Sequence, residues 1–135
     1  MALITWSENL SVNIREIDSQ HKELVKLINE MHDAMSEGKG KDVLEKVLTR
    51  LIDYTKMHFS GEERLMETHR YAGYVTHKAE HEKLTKQVME ISNRMKEGKT
   101  VITIEVMNFL KEWLSKHIVG TDKKYGPFLN ERGVV

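Results

Sequence analysis

Five histidines and two carboxylates in this chain occupy positions from which they could bind metal ions together. They are His21, His58, Glu62, His77, His81, His117 and Asp122. Two of the spacings, His58 with Glu62 and His77 with His81, are i, i+4 pairs, which place two donor groups on one face of a helix. The chain contains no cysteine, so disulfides, thiolate metal ligands and iron–sulfur clusters are excluded. We therefore predict a metal site of nitrogen and oxygen ligands.

The size of this set indicates two metal ions. One zinc ion takes four ligands, fewer than the set provides. Imidazole with carboxylate suits iron, with manganese, zinc and copper as alternatives. A single histidine on a helix is usually a surface residue or a hydrogen-bonded core residue, but leaving the whole set buried and unpaired would cost roughly 7 to 21 kcal/mol. That cost rivals the stability of a whole domain, about 5 to 15 kcal/mol. His32 lies beside an apolar stripe and His69 near a turn, so we predict that neither is a ligand.

Four helices are predicted to position these side chains. Apolar residues recur at spacings of three and four, and the chain has a single proline, which together favour an all-α fold. The first helix begins at Asp18 or Ser19 and ends at Gly38, and the others span about 42–68, 75–98 and 103–119. Residues 1–17 form an N-terminal arm, and 122–131 form a short C-terminal helix. Gly120 is expected to end the fourth helix and to let Asp122 turn back towards the site.

Short connections favour antiparallel neighbours, and hence an up-down-up-down antiparallel four-helix bundle that occupies residues 1–135 as one domain. These short connections lie at Gly38–Gly40, near Gly73 and at Gly98–Thr100.

The hairpins also predict that the histidines converge. His21 and His58 are nearly equally far from Lys39 along the chain, and at about 1.5 Å rise per residue they should lie at one height. His81 and His117 are likewise equally far from Lys99. Glu62 and His77 are unequally far from the turn near Gly73, and the spacing does not resolve how they meet.

The composition limits the partners. Basic and acidic residues balance at 21 each, so there is no positive excess to bind nucleic acid. The N-terminus has no basic segment before an apolar stretch, and no window reaches the roughly 18 to 20 apolar residues of a membrane helix. We expect a soluble, cytoplasmic protein with no nucleic-acid or membrane partner. An unidentified protein partner and the oligomeric state stay open.

An ordered set of motifs resembles the hemerythrin family in its single-domain bacterial form, over the full chain. The motifs are Trp6, Ile17-Asp18-x-Gln20-His21, His58-Phe59-x-x-Glu62-Glu63, His77-x-x-x-His81 and Trp113-x-x-x-His117-Ile118-x-x-x-Asp122-x-x-Tyr125. The resemblance implies two non-haem iron ions (Fe2+/Fe3+) joined by a bridging oxo or hydroxo group and by Glu62 and Asp122. One iron would be bound by His77, His81 and His117, and the other by His21 and His58. It also implies a vacant coordination position on the second iron, where the family binds dioxygen.

The donor types favour reversible dioxygen binding, as a carrier, store or sensor, over enzymatic turnover. Oxygen-activating di-iron bundles use glutamate-rich sites, whereas this set has five neutral imidazoles and two carboxylates. One alternative is a di-iron enzyme that reduces nitric oxide or peroxide or oxidises ferrous iron. Another is a structural bundle that holds zinc.

Apolar residues near the donors have two compatible interpretations. Phe59, Trp113, Leu114 and Ile118 either pack as ordinary core or form a dry pocket that admits an apolar gas. The resemblance implies that Tyr125 lies near Asp122 and orients its carboxylate.

Overall fold

Four long helices form an antiparallel bundle in the computed structural model, which describes residues 2–99 and 102–135. They are α1 (Arg15–Ser36), α2 (Lys41–Thr68), α3 (Tyr74–Lys96) and α4 (Ile104–His117). Helix α1 packs against α2 and α4, and α2 packs against α3. The predicted all-α four-helix bundle is therefore confirmed, while the assignment of residues 1–135 to one domain stays a prediction. The last residue of the predicted turn at Gly98–Thr100 lies outside the described residues.

Helix α1 begins earlier than predicted. It starts at Arg15, so Asp18 lies in its first turn rather than at its N-cap. The Asp18 carboxylate reaches back to accept hydrogen bonds from the Val12 amide (2.8 Å) and the Ser11 hydroxyl (2.6 Å). A carboxylate in the first turn also interacts favourably with the helix dipole. The N-terminal arm, which contains a short 3-10 helix at Glu8–Leu10, is thus held to α1 by the residue expected to cap it.

Three of the helices end in the same hydrogen-bonded motif, which makes the turns tight. After α1, the amides of Gly38 and Lys39 donate to the carbonyls of Met35 and Ala34, the pattern of a Schellman end. Gly98 closes α3 in the same way, and both glycines have φ of 72°. Arg70 takes the equivalent position after α2, with φ of 56°. Gly38 and Gly98 therefore close their helices as the composition predicts, whereas the end of α2 uses Arg70 instead of a glycine.

Helix α4 does not end at Gly120. After His117 the chain widens into a π-helical turn at Ile118–Asp122 and continues as α5, Lys123–Asn130. The prediction that Gly120 terminates the helix is wrong, because the backbone stays helical through it. A π-helical turn pairs residues five apart instead of four apart. The widened turn therefore carries Asp122 to the inner face of the bundle, where it is fully buried.

A layer of buried polar residues divides the apolar core into two clusters. The larger lies among α1 to α4 and includes Leu24, Leu51 and Leu110. The smaller joins the N-terminal arm to α5 and consists of Val12, Ile14, Ile17, Met66, Tyr125 and Leu129. Along α1, His21 lies between Ile17 of one cluster and Leu24 of the other. Among the described residues, no helix has the length and apolar character needed to cross a membrane.

Candidate metal centre

All seven predicted donor side chains are buried in the polar layer, and none is more than 4 % exposed. Each of the four long helices contributes at least one of them, and the π-helical turn contributes one. They are His21 from α1, His58 and Glu62 from α2, His77 and His81 from α3, His117 from α4 and Asp122 from the turn. The bundle therefore brings together the complete set that the sequence selects.

Their donor atoms form two overlapping groups, and within each group the atoms lie within 4.8 Å of one another. The two groups share both carboxylates, Glu62 and Asp122. They differ in their histidines, which are His77, His81 and His117 in one group and His21 and His58 in the other. We call these the three-histidine half and the two-histidine half. Among the described residues, neither half includes His32 or His69.

The heights of the histidines agree with the hairpin spacing. The rings of His21 and His58 have centroids 4.6 Å apart, and the Nε2 atoms of His81 and His117 are 3.1 Å apart.

The unequal spacing of Glu62 and His77 about the second turn has a simple explanation, because the two residues meet different partners. The Glu62 carboxylate approaches His58 Nε2 (2.8 Å) and His81 Nε2 (3.5 Å). His77 Nε2 instead lies 2.9 Å from Asp122.

Most donor atoms that face the centre lack hydrogen bonds. The unpaired atoms are Nε2 of His21, of His58 and of His77, Oε1 of Glu62 and both carboxylate oxygens of Asp122, and Nδ1 of His21 is unpaired as well. Several lie close together, with His21 Nε2 only 3.0 Å from Asp122 Oδ2, yet the approaches lack the direction of a hydrogen bond. Each unpaired buried group costs about 1 to 3 kcal/mol. Donors that converge without bonding to one another fit metal ions, and this nitrogen and oxygen set suits iron.

Burial and neighbouring charges shift the pKa values of the centre in different directions. Burial and the charges of His117 and His77 lower the pKa of His81 to about 2. Burial also acts to lower the pKa of His117, but Asp122 and Glu62 outweigh it and raise that pKa to about 9. Burial would raise the pKa of Asp122, but neighbouring His117 holds it well below its usual range. Asp122 is therefore ionised and His81 neutral at pH 7, as ligands must be, whereas His117 must lose a proton when it binds a metal ion.

Three polar residues outside the set hold the outer ring nitrogens. The Nδ1 atom of His81 lies 2.8 Å from Glu63 and that of His117 lies 2.8 Å from Glu80, while Gln20 lies 2.6 Å from Nδ1 of His58. An imidazole that donates through Nδ1 presents an unprotonated Nε2 to the centre.

These contacts affect the two glutamates differently. Burial raises the pKa of Glu63. Burial acts in the same sense on Glu80, but its hydrogen bond with His117 outweighs this and lowers its pKa. Gln20, Glu63 and Glu80 were not predicted to have a role. Gln20 and Glu63 do occur in the family motifs, and each of the three adjoins a donor residue in the chain.

Tyr125 supports a different carboxylate from the one expected. Its hydroxyl donates to Oε2 of Glu62, not to Asp122 as the resemblance implies. Burial and then the charge of Glu62 raise the pKa of Tyr125 well above its ordinary value. The hydroxyl therefore stays protonated at neutral pH and can donate to Glu62.

An apolar pocket adjoins the two-histidine half. Its apolar lining is Leu24, Phe59, Leu84, Trp113 and Leu114, and its polar lining is His21, His58, His117 and Asp122. Phe59, Trp113 and Leu114 thus lie where predicted, whereas Ile118 is buried elsewhere and Leu24 and Leu84 were missed. The indole N–H of Trp113 donates to the Leu84 carbonyl (3.1 Å), and the space has no room for a water molecule. The pocket is therefore dry and narrow.

Comparisons with known proteins agree with this geometry. Residues 12–129 match the family described as hemerythrin HHE cation binding domain. The chain is 36% identical to a bacteriohemerythrin of Methylococcus capsulatus over 131 residues, which cover 96% of this chain and 99% of the relative. It is 38% identical to a bacteriohemerythrin of Pseudomonas aeruginosa (strain LESB58) over 125 residues, covering 93% and 80%. A crystal structure of wild-type hemerythrin is similar with a TM-score of 0.89 and 35% identity, covering 93% of this chain and 97% of that one.

Proposed function

Because this chain belongs to the hemerythrin family, we propose that it binds dioxygen reversibly at a non-haem di-iron centre, as a carrier, store or sensor. One observation carries the proposal. Two donor groups share the carboxylates of Glu62 and Asp122, and a dry apolar pocket is lined by both histidines of the two-histidine half but by only one of the three-histidine half, His117.

In this proposal the three-histidine half would hold one iron and the two-histidine half the other, and the carboxylates of Glu62 and Asp122 would be available to both. Two bound irons would supply the electrons that dioxygen takes up on binding and returns on release. The side chains around them have separate tasks. Tyr125 fixes the Glu62 carboxylate, and Gln20 orients the ring of His58 beside the pocket.

The pocket favours binding over reduction of the ligand. Apart from the proposed ligands, the side chains that line it are apolar or aromatic. The indole N–H of Trp113, its one polar group, is already bonded to a carbonyl. The lining therefore offers no spare side-chain proton to a bound ligand. An apolar lining favours a small apolar gas over water and larger reductants. Five neutral imidazoles also stabilise high iron valence less than a glutamate-rich set would.

Anaerobic purification followed by exposure to air tests the proposal. We expect two irons per chain and a charge-transfer absorption that appears in air and disappears when oxygen is removed, over repeated cycles. Irreversible bleaching, together with catalytic consumption of nitric oxide or peroxide, would instead identify a di-iron enzyme. A protein that takes up zinc and shows no response to gas would contradict both functions.

A further inference from the structure

The two halves of the centre have different outer partners. In the three-histidine half, two rings donate to carboxylates, His81 to Glu63 and His117 to Glu80, each at 2.8 Å. In the two-histidine half, His58 contacts the neutral amide of Gln20. Among the described residues, Nδ1 of His21 has no partner. Negative charge therefore supports the imidazoles of one half only.

We propose that Glu63 and Glu80 are positioning residues that make the three-histidine half the tighter of the two metal sites. The inference rests on the ligand assignment in the proposed function. It adds that residues outside the ligand set make one site bind metal more tightly than the other.

The physical reason lies in the hydrogen bond behind each ring. A hydrogen bond from an imidazole to a carboxylate is charge-assisted and stronger than one to an amide. It makes the imidazole a more basic ligand, so Nε2 binds a divalent cation more tightly. The three-histidine half has more ligands already. Two carboxylate-supported rings add to this preference, and the amide of Gln20 cannot offset it.

Both carboxylates also fix ring orientation across helices. Glu63 extends from α2 to His81 on α3. Glu80 extends from α3 to His117 on α4, and both its oxygens accept from the Thr121 hydroxyl at 3.0 Å. Thr121 belongs to the π-helical turn that carries Asp122, so Glu80 joins two ligand-bearing segments. The side chains of Glu63 and Glu80 are 21% and 35% exposed, so replacing either leaves no buried cavity.

Titration of the metal-free full chain with Co2+ tests the proposal, and its absorption spectrum reports the coordination of each ion. We expect two binding steps in the unmodified protein. Glu63→Gln and Glu80→Gln should each weaken the first step by about 10- to 100-fold, the usual effect of losing such a partner, and leave the second step unchanged. Glu82→Gln is the matched control, because Glu82 is exposed on α3 and loses the same charge.

Gln20→Glu provides the reciprocal test. It places a carboxylate behind His58 in the two-histidine half, so it should tighten the second step and bring the two steps closer together.

Two readouts separate this role from a general loss of structure. The Nδ1–H protons of His81 and His117 should give proton NMR signals in the cobalt-loaded protein, and the matching Gln variant should lose the signal of its ring to faster exchange. In the iron-loaded protein, Glu63→Gln and Glu80→Gln should raise the reduction potential, because negative charge near the metal is lost.

The proposal is overturned if both Gln variants bind the first Co2+ within about twofold of the unmodified protein. It is also overturned if Glu82→Gln weakens that step equally, or if no Co2+ binds. Failure of the proposed function is distinguishable, because the Co2+ titration requires neither iron nor dioxygen. A chain that shows the expected cobalt steps but no gas response in its iron form would disprove oxygen binding and support this inference.

Discussion

Among single residues, His117 has the most connected position in the centre. Its Nε2 lies 2.9 Å from Asp122 and 3.1 Å from the same atom of His81. Its Nδ1 contacts Glu80, which in turn holds Thr121. One ring therefore links α3, α4 and the π-helical turn, and its removal should affect both metal content and folding.

His117→Ala should lower iron content and the midpoint of thermal unfolding, because metal binding at such a site is coupled to folding. Iron analysis and circular dichroism melts of the iron-loaded protein measure the two effects. His32→Ala is the control, since His32 lies outside both donor groups and should retain full iron content. Unchanged iron in His117→Ala would contradict the ligand assignment.

Leu114→Ala should retain iron and speed ligand exchange and autoxidation, because it widens the dry pocket beside the two-histidine half. Stopped-flow mixing with oxygen and the decay of the oxygenated spectrum measure these rates. Leu44→Ala is the matched control. Both leucines are buried, and each truncation should cost about 2 to 5 kcal/mol, but Leu44 does not line the pocket. Equal rates in the two variants would remove Leu114 from a gating role.

The donor set was readable from the sequence, and the supporting residues were not, for a physical reason. A histidine within an apolar helical stripe is unexpected, because burying an unpaired polar group is unfavourable. Histidines that recur at i, i+4 spacing on such stripes indicate which helix faces meet. Glu63 and Glu80 lie at the edges of helices, where a glutamate is unremarkable. Their function depends on distances between helices, which spacing along one helix does not determine. The structure thus brings the predicted set together, while its binding of iron stays a prediction.

Among the helices, the ends were harder to predict than the helices themselves. Apolar periodicity located all four, because it reflects which face is buried. A glycine usually marks a helix end, yet Gly120 lies within continuous helix and Arg70 takes a left-handed conformation where glycine is common. In both places tertiary packing outweighs the local preference of the residue.

Replacing two glycines tests this assignment of the C-terminal segment. A methyl group at Gly120 would meet no atom within 4 Å, so Gly120→Ala should raise stability by up to about 1 kcal/mol, the difference in helix propensity. A methyl group at Gly126 would lie 2.7 Å from the Val12 carbonyl oxygen, so Gly126→Ala should cost about 1 to 3 kcal/mol. Urea unfolding curves give both values. A destabilised Gly120→Ala would argue against continuous helix there.

For the whole molecule, the important feature is the polar layer between two apolar clusters. The overall architecture was predictable because hairpin lengths and apolar stripes are properties of the whole chain. The division of the core was less predictable, since the arm and α5 contribute much of the smaller cluster and α5 has only eight residues. Each cluster can hold its helices together, but the layer between them depends on what its donor atoms bind.

Removing the metal should therefore leave a helical protein that unfolds at a lower temperature. A ligand whose free concentration is 100 to 1,000 times its dissociation constant stabilises a fold by about 3 to 4 kcal/mol per site. Circular dichroism before and after chelation measures the helix content and the melting midpoint, and added zinc should restore the midpoint without restoring the gas response. The same treatment of His117→Ala should shift the midpoint less. A midpoint unaffected by chelation would show that the donors do not depend on metal.

The π-helical turn has a consequence for how the chain can change in length. His58 and Glu62 share a helical face at a spacing of four, as do His77 and His81, whereas His117 and Asp122 do so at a spacing of five because one extra residue fits in the widened turn. Val119 and Gly120 are exposed. Deleting either one should return the segment to regular α-helix with the histidine and aspartate still on one face. The segment can thus absorb the loss of one residue and still keep the histidine and the aspartate on one helical face.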